Sequence, residues 1–277
     1  MAGLIDRHFP TSMDRTIVAE IDGRLADIKR HHNVSIPLAV ESGSRAWGFP
    51  SPDSDYDCRF VFVRAVSETF TLFPERDVIE TPLTPILDVN GWELSKALKL
   101  LLKGNVVVVE WLTSPLVYQC NSDFRAAFLE IAGEVADRSL TARHYYHLAA
   151  NHLDRFLSAE EDVPLRKLFY ALRPLMALKW LEENPNSVIA PMNFPSLCAG
   201  VPLELSVLDT INELMARKAE TRELGNGPIP LPIRAFLTAE FPRMQFWKDG
   251  VQERRPGSER LLDAFWREWT HRLAPGE

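Results

Sequence analysis

Two aspartates that stand two residues apart are the first residues in this sequence whose types and spacing could do chemistry. Asp55 and Asp57 come at the head of an apolar run over residues 60–63. On an extended backbone, side chains two residues apart point to the same face, so both carboxylates would lie on one side of a strand. Carboxylate oxygens are the ligands that Mg²⁺ prefers, usually together with substrate phosphates. The pair predicts a divalent-cation site at the start of a strand.

A glycine–serine turn precedes this pair. Gly43 and Ser44 follow the apolar run 36–40, which predicts a strand that ends in a turn. Glycine allows a close approach of the backbone, and a short helix beginning here would present free N–H groups and the Ser44 hydroxyl to a phosphate. Arg45 could add charge at a phosphate or pair with an acidic neighbour, and the sequence leaves both open.

Two other interpretations of the acidic motif are weaker. Asp53, Asp55 and Asp57 have the spacing that opens an EF-hand loop, but Cys58 replaces the glycine at the sixth position and Arg64 replaces the glutamate at the twelfth. A plain acidic turn between strands is the other alternative, because aspartate favours turns. The turn before the motif and the apolar strand after it favour the cation site.

Together the two motifs resemble the nucleotidyltransferase superfamily that includes DNA polymerase β. Gly43-Ser44 and Asp55-Tyr56-Asp57 carry the superfamily pattern, and the wording over 41–49, 90–94 and 110–115 is similar to predicted bacterial nucleotidyltransferases associated with RNA repair. The resemblance implies an α+β fold: a mixed sheet with flanking helices, followed by an all-helical domain. We place the catalytic domain at residues 1–118 and the helical domain at 119–277.

The resemblance also implies the reaction and its metal. A nucleoside monophosphate would move from a nucleoside triphosphate to an acceptor hydroxyl, with release of pyrophosphate. The superfamily needs a third carboxylate on the strand beside the Asp-x-Asp strand. Asp88 is our choice and Glu80 the alternative. Asp55, Asp57 and Asp88 would then be the catalytic residues that hold two Mg²⁺ ions, or Mn²⁺.

The acceptor is open on the sequence alone: an RNA end, a protein hydroxyl or a small molecule. The rival function is a non-catalytic nucleotide sensor, or the partner subunit of an RNA-acting complex, with a degenerate transferase fold. Intact Gly-Ser and Asp-x-Asp motifs favour the enzyme.

A basic and aromatic stretch in the second half is the other candidate binding surface. Arg166, Tyr170 and Arg173 share one face of a predicted helix, and Lys167 is next to them. Lys167, Tyr170 and Arg173 could cover the base and phosphates of a nucleotide from the side opposite the metals. The alternative is an ordinary amphipathic helix whose basic residues pair with the acidic residues 160–162.

The local patterns predict the elements that position these residues. A helix should run from Asp14 to about residue 32, and short strands at 77–80 and 86–89 should form a hairpin or edge. Asn90 and Glu93 have capping-box spacing, which predicts a helix from residue 90 to 103. Further helices are predicted at about 123–135, 140–158, 163–183, 203–222, 231–247 and 257–273.

One stretch carries conflicting signals. Residues 106–109 have strand propensity, whereas the resemblance implies a helix capped by Asn105. We expect the helix, because propensity differences are small compared with packing.

Composition limits the partners. The net charge of −7 argues against a broad electrostatic grip on long nucleic acid, which depends on neutralised phosphates. Cys58, Cys120 and Cys198 lack the spacing of a disulfide framework or zinc site, which suits reducing cytosol. We see no signal-peptide pattern and no apolar run long enough to span a membrane, and we expect a cytoplasmic protein.

Overall fold

A five-stranded mixed sheet carries the first half of the chain. The computed structural model describes residues 7, 9–156, 162–222, 224–250 and 255–276. The strands are β1 (Val34–Glu41), β2 (Tyr56–Arg64), β3 (Val78–Glu80), β4 (Leu87–Glu93) and β5 (Val117–Cys120), in the spatial order β3-β4-β2-β1-β5. Strands β2 and β4 run parallel, and the other neighbours are antiparallel. The sheet of the predicted α+β fold is confirmed, with β3 and β4 as the expected edge hairpin.

Five helices belong to the described residues of this half. They are α1 (Arg15–His31), α2 (Ser44–Trp47), α3 (Val66–Thr69), α4 (Leu94–Leu102) and α5 (Val106–Thr113). Asp14 caps α1 by accepting from the backbone N–H of Thr16, and Asn105 caps α5 by accepting from that of Val107. Both predicted helices are confirmed, and in α5 burial of the valines outweighs their strand propensity.

The predicted capping box at residues 90–93 is wrong. These residues lie in β4, where Asn90 is the Cα partner of Arg59, and Glu93 is that of Phe62. The carboxylate of Glu93 lies 3.7 Å from the guanidinium of Arg64 instead of capping a helix. Helix α4 therefore begins at Leu94, because pairing with β2 on one side and β3 on the other outweighs the local capping pattern.

Helices dominate the second half. They are α6 (Ser122–Val135), α7 (Arg138–Phe156), α8 (Leu168–Glu183), α9 (Phe194–Ala199), α10 (Leu205–Glu220), α11 (Leu231–Arg243) and α12 (Ser258–Leu273). Short strands β6 (Val163–Pro164) and β7 (Asn226–Gly227) form a two-stranded ladder. The helix predicted from residue 163 starts only at Leu168, after β6 and a 3₁₀ turn at Leu165–Lys167.

Helix α9 is missing from our predicted elements. The prolines around it favour a loop, but Pro195 occupies the first turn of the helix, where its absent N–H costs nothing. Asn193 caps this helix by accepting from the backbone N–H of Ser196.

The last helix returns to the sheet. Phe265 and Trp269 of α12 lie in one apolar cluster with Phe124 of α6 and with Val61 and Val63 of β2. Helices α7 to α11 bury a separate cluster, which also takes in Phe49 from the loop after α2. Our boundary at residue 118 falls inside β5, and the division into two domains stays a prediction. Within the described residues, no helix is long and apolar enough to cross a membrane.

Candidate functional site

Gly43 holds the turn between β1 and α2 in a conformation that other residues rarely adopt. Its φ is 104°, and a Cβ atom on it would lie 2.3 Å from Oδ2 of Asp57. The turn and the acidic motif are therefore in direct contact. The hydroxyl of Ser44, the first residue of α2, lies 2.9 Å from Oγ of Ser54 and donates to it.

Strand pairing brings the acidic residues together. Asp57 on β2 and Asp88 on β4 are Cα partners in the parallel ladder, and Asp55 is exposed just before β2 begins. Glu80, our alternative third carboxylate, lies one strand farther away on β3, and its Oε2 is 3.1 Å from Nη2 of Arg76. The structure thus gathers Asp55, Asp57 and Asp88 at one end of β2 and β4.

Arg59 is a site residue that our sequence analysis missed. Its Nη2 atom donates to Oδ1 of Asp57 at 2.8 Å and to Oδ2 of Asp88 at 2.7 Å. Its Nη1 atom donates to the backbone carbonyl of Asp88 at 3.0 Å. The signal was available, because Arg59 follows Asp57 by two residues and so shares its face of the strand.

The charge state of Asp57 depends on its burial and on the charged side chains around it. Burial raises the pKa of the Asp57 carboxyl to about 6, against the opposing effect of Arg59. Repulsion from Asp55 and Asp88 is a smaller part of the same rise in pKa. Asp55 and Asp88 are therefore close enough to disfavour the negative charge of Asp57, an effect that a bound cation would relieve.

Glu41 is a buried carboxyl that contacts the backbone of Asp57. Its side chain is completely buried at the end of β1, where Oε1 accepts from the backbone N–H of Asp57 and Oε2 accepts from the hydroxyl of Tyr118. Burial raises the pKa of the Glu41 carboxyl to about 7. The sequence analysis assigned Glu41 no role, because only the fold shows that it is buried.

Arg45 shapes the loop that carries Asp55. Its guanidinium donates to the backbone carbonyls of Ser54 and Asp55 at 2.6 and 3.1 Å, and it lies 4.0 Å from the ring centroid of Tyr56. The sequence left open a phosphate or an acidic partner for Arg45. The structure places this nearly buried guanidinium on the loop backbone.

A cavity of about 640 Å³ opens between the acidic loop and the helical half. Ser44, Ser54 and Asp55 line one wall. Lys167 and Tyr170, both predicted nucleotide-binding residues, line the opposite wall. That wall also includes His152, Arg166, Lys218 and Arg222.

Lys218 and Arg222 could not be found from the sequence, because they follow Lys167 by some fifty residues and no motif links them. Lys218 is the last but two residue of α10, and its Nζ donates to the carbonyl of Phe49 at 2.6 Å. Burial lowers the pKa of the Lys218 amine to about 8. Its contact with Phe49 ties the basic wall to the loop after α2.

Arg173 does not reach this cavity. It is buried in an ion pair with Glu110 of α5, and its Nε donates to the carbonyl of Met192 at 3.3 Å. Its guanidinium lies 4.4 Å from the ring centroid of Trp47. Helix α8 is buried on nearly all sides, so Arg173, one turn beyond Tyr170, meets Glu110 of α5 instead of the cavity.

The donor set suits a hard divalent cation in its chemistry. All three acidic residues offer carboxylate oxygens, and a cationic guanidinium already stands between two of them. In the described part of the chain, no three Asp, Glu, His or Cys side chains converge as a finished ligand set. Arg59 thus places a positive charge between Asp57 and Asp88.

Comparison with known proteins identifies the family. The uncharacterized protein YcgL of Bacillus subtilis (strain 168) is 37% identical over 220 residues, which are 79% of this chain and 84% of the relative. A solved structure, the nucleotidyltransferase-like protein from Exiguobacterium sibiricum 255-15, is 10% identical, with a TM-score of 0.29 over 91% of this chain and 75% of its own. The sequence pattern of the RNA repair pathway DNA polymerase beta family (RlaP) matches residues 17–268, and the chain therefore belongs to this family.

Proposed function

We propose that the protein is a metal-dependent nucleotidyltransferase that moves a nucleoside monophosphate from a nucleoside triphosphate to an acceptor hydroxyl. Family membership supports a role in nucleotidyl transfer. The observation that carries the proposal is the pairing of Asp57 with Asp88, with Asp55 beside them at a cavity whose far wall is basic.

The cavity has the size and charge pattern for a nucleotide. About 640 Å³ lies within the range of roughly 300–1,000 Å³ that small-molecule sites occupy. Arg166, Lys167, Lys218 and Arg222 supply positive charge to one wall, which suits phosphates. Tyr170 adds an aromatic ring whose centroid lies 5.7 Å from that of Trp47.

Asp55, Asp57 and Asp88 would hold Mg²⁺ or Mn²⁺, which when bound supplies positive charge to the reacting phosphate and the acceptor oxygen. The chain's own residues would orient the triphosphate. Gly43 leaves room for the carboxylate of Asp57 at the turn. Lys167 and Lys218, which line the cavity, would offset charge on the departing pyrophosphate.

The reaction is a displacement at phosphorus. The acceptor oxygen bonds to the α-phosphorus, the bond from that phosphorus to the β-phosphate oxygen breaks, and the hydroxyl proton goes to solvent. No side-chain nucleophile is required, because positioning and electrostatics supply most of the rate.

An RNA end is the acceptor that we put first. The family's description places it in an RNA repair pathway. A net charge of −7 disfavours a long nucleic-acid footprint, so a single end in one cavity is easier to reconcile with the chain than an extended duplex.

The test is transfer from each α-labelled nucleoside triphosphate with Mg²⁺ and a mixture of RNA ends. We expect label in RNA together with free pyrophosphate, and loss of transfer by about 10²-fold or more in Asp57→Asn. Asp263→Asn, an exposed carboxylate on α12, is the matched control and should transfer normally.

Full activity in Asp57→Asn would refute the metal assignment. If the protein binds the triphosphate but releases it unreacted with every acceptor, the result would instead support the non-catalytic sensor.

A further inference from the structure

We infer that Arg59 is a built-in cation of the acidic centre and limits it to one divalent ion until a nucleoside triphosphate binds. The inference rests on the proposed function, because it concerns the ions that this function requires. It assigns to Arg59 a positioning and charge-setting role, distinct from contact with the reacting atoms.

The guanidinium is held in place from several sides. One nitrogen, Nη2, bridges the carboxylates of Asp57 and Asp88, and the other, Nη1, donates to the carbonyls of Asp88 and Cys58 at 3.0 and 3.2 Å. The side chain is 17% exposed. An arginine anchored by both ends of its fork keeps one orientation, so its charge stays at the two carboxylates.

The bridge occupies one oxygen of each carboxylate. Oδ1 of Asp57 and Oδ2 of Asp88 accept from Arg59, and Oδ1 of Asp88 accepts from the side-chain amide of Asn90 at 3.2 Å. Oδ2 of Asp57 instead faces Gly43. In this pair of acids, Oδ2 of Asp57 is therefore the oxygen that neither Arg59 nor Asn90 engages, and it would be open to a first divalent ion.

The charge of the acidic centre indicates how many divalent ions it can hold without nucleotide. With all three carboxylates ionised, these acids and the guanidinium, which does not lose its proton in proteins, sum to a charge of −2. One divalent ion neutralises it. A second would leave an excess of two positive charges in a half-buried place, which is costly unless phosphates arrive with it.

Arg45, the neighbouring arginine, does not alter this balance by pairing. Its guanidinium is directed at the backbone carbonyls of Ser12, Ser54 and Asp55, and among the described residues it donates to no carboxylate. Arg59 is thus the arginine that bridges the two paired acids.

The experiment counts Mn²⁺ bound per chain, from the free-Mn²⁺ signal in electron paramagnetic resonance, without nucleotide. We expect one ion for the wild type, and two for Arg59→Gln, or one bound at least tenfold more tightly. Arg59→Lys keeps the charge and should bind one. Arg76→Gln, an exposed arginine beside β3, is the control for loss of charge and should match the wild type.

Two further measurements do not depend on the folding of Arg59→Gln alone. The double variant Arg59→Gln with Asp88→Asn restores a charge of −2 and should bind one ion. Addition of a non-hydrolysable nucleoside triphosphate should raise the wild-type count from one to two.

Two Mn²⁺ ions in the wild type without nucleotide, or an unchanged count and affinity in Arg59→Gln, would overturn the inference. Other outcomes would refute the proposed function without refuting this inference. If the counts differ as expected but the wild type never transfers a labelled nucleotide, the charge-setting role stands without the enzyme. If no variant binds Mn²⁺ even with nucleotide, both are refuted.

Discussion

The backbone of Gly43 packs so closely against the carboxylate of Asp57 that no side-chain atom fits between them. A methyl group at residue 43 would lie 2.3 Å from the Asp57 carboxylate, on a backbone with a φ of 104°. We expect Gly43→Ala to lower the free energy of unfolding by about 1–3 kcal/mol and to weaken triphosphate binding, because the carboxylate must move. Urea denaturation and a binding titration measure the two effects.

The control for this change is Gly23→Ala in α1, where an added methyl meets nothing within 4 Å. Replacing glycine inside a helix should stabilise the protein by about 0.5–1 kcal/mol. If Gly43→Ala behaved like this control, the turn would not be matched to Asp57.

Glu41 makes stability depend on pH. Its pKa rises from 4.5 to about 7 in the folded chain, so between these values the folded state keeps a proton that the unfolded state loses. The free energy of unfolding then falls as pH rises through this window. Glu41→Gln has no proton to lose, and we expect it to gain about 1–3 kcal/mol on the wild type between pH 4.5 and 7.

Urea denaturation at a series of pH values gives this difference. Glu20→Gln, at an exposed glutamate that pairs with Arg24, is the control and should show no such gain. A difference between Glu41→Gln and the wild type that stays constant with pH would mean that the pKa of Glu41 is the same in the folded and the unfolded chain.

At the residue scale, the sequence was enough to pick out those candidate site residues that stand together in a short motif. Asp55, Asp57 and Ser44 stand in one short stretch, and the third acid, Asp88, came from a resemblance. Lys218 was out of reach, because only the packing of α10 against the loop after α2 brings it to the cavity. The burial of Glu41 likewise depends on β5, which supplies Tyr118.

At the scale of elements, the ion pair of Arg173 with Glu110 joins α8 to α5. Both side chains are 6% exposed, and Tyr145 of α7 donates to the same carboxylate at 3.2 Å. We expect Arg173→Gln to cost about 3–5 kcal/mol, because it leaves a buried carboxylate without its cation. Adding Glu110→Gln should recover much of that loss.

Denaturation of the two variants and of Arg243→Gln, an exposed control, tests this prediction. Triphosphate affinity of the folded double variant separates the two roles of Arg173. An affinity close to that of the wild type supports a structural role, and a large loss despite restored stability supports the nucleotide-binding role that the sequence suggested.

Elements were predictable where the local pattern and the packing agree. Asp14 caps α1 and Asn105 caps α5 as expected. Residues 90–93 show the opposite case, because Asn90 and Glu93 look like a cap yet lie in a strand between two others. The capping pattern carries no information on β2, whose paired residues stand well before β4 in the chain.

At the scale of the whole molecule, the end of the chain helps to hold the sheet. Trp269 is 3% exposed, and its ring lies edge-on to that of Phe124 with centroids 5.3 Å apart. We expect Trp269→Ala to cost about 3–5 kcal/mol, because it opens a cavity in the cluster shared with β2. Leu261→Ala on the same helix is exposed and should change stability by less than about 0.5 kcal/mol.

Circular dichroism during urea denaturation measures both variants. Equal stabilities for Trp269→Ala and Leu261→Ala would contradict the packing of α12 on the sheet. The sequence predicted this helix but not its place, since an amphipathic pattern shows which face is buried without showing the partner.

Cys58 lies between Asp57 and Arg59 in the chain, yet its thiol is fully buried on the opposite face of β2, in the cluster that α1 covers. Burial also raises the pKa of this thiol well above its usual value. An alkylating reagent can therefore reach Cys58 only when this buried cluster opens. The rate of alkylation therefore measures how often β2 is exposed. A ligand that binds the acidic face should lower this rate without contacting the sulfur.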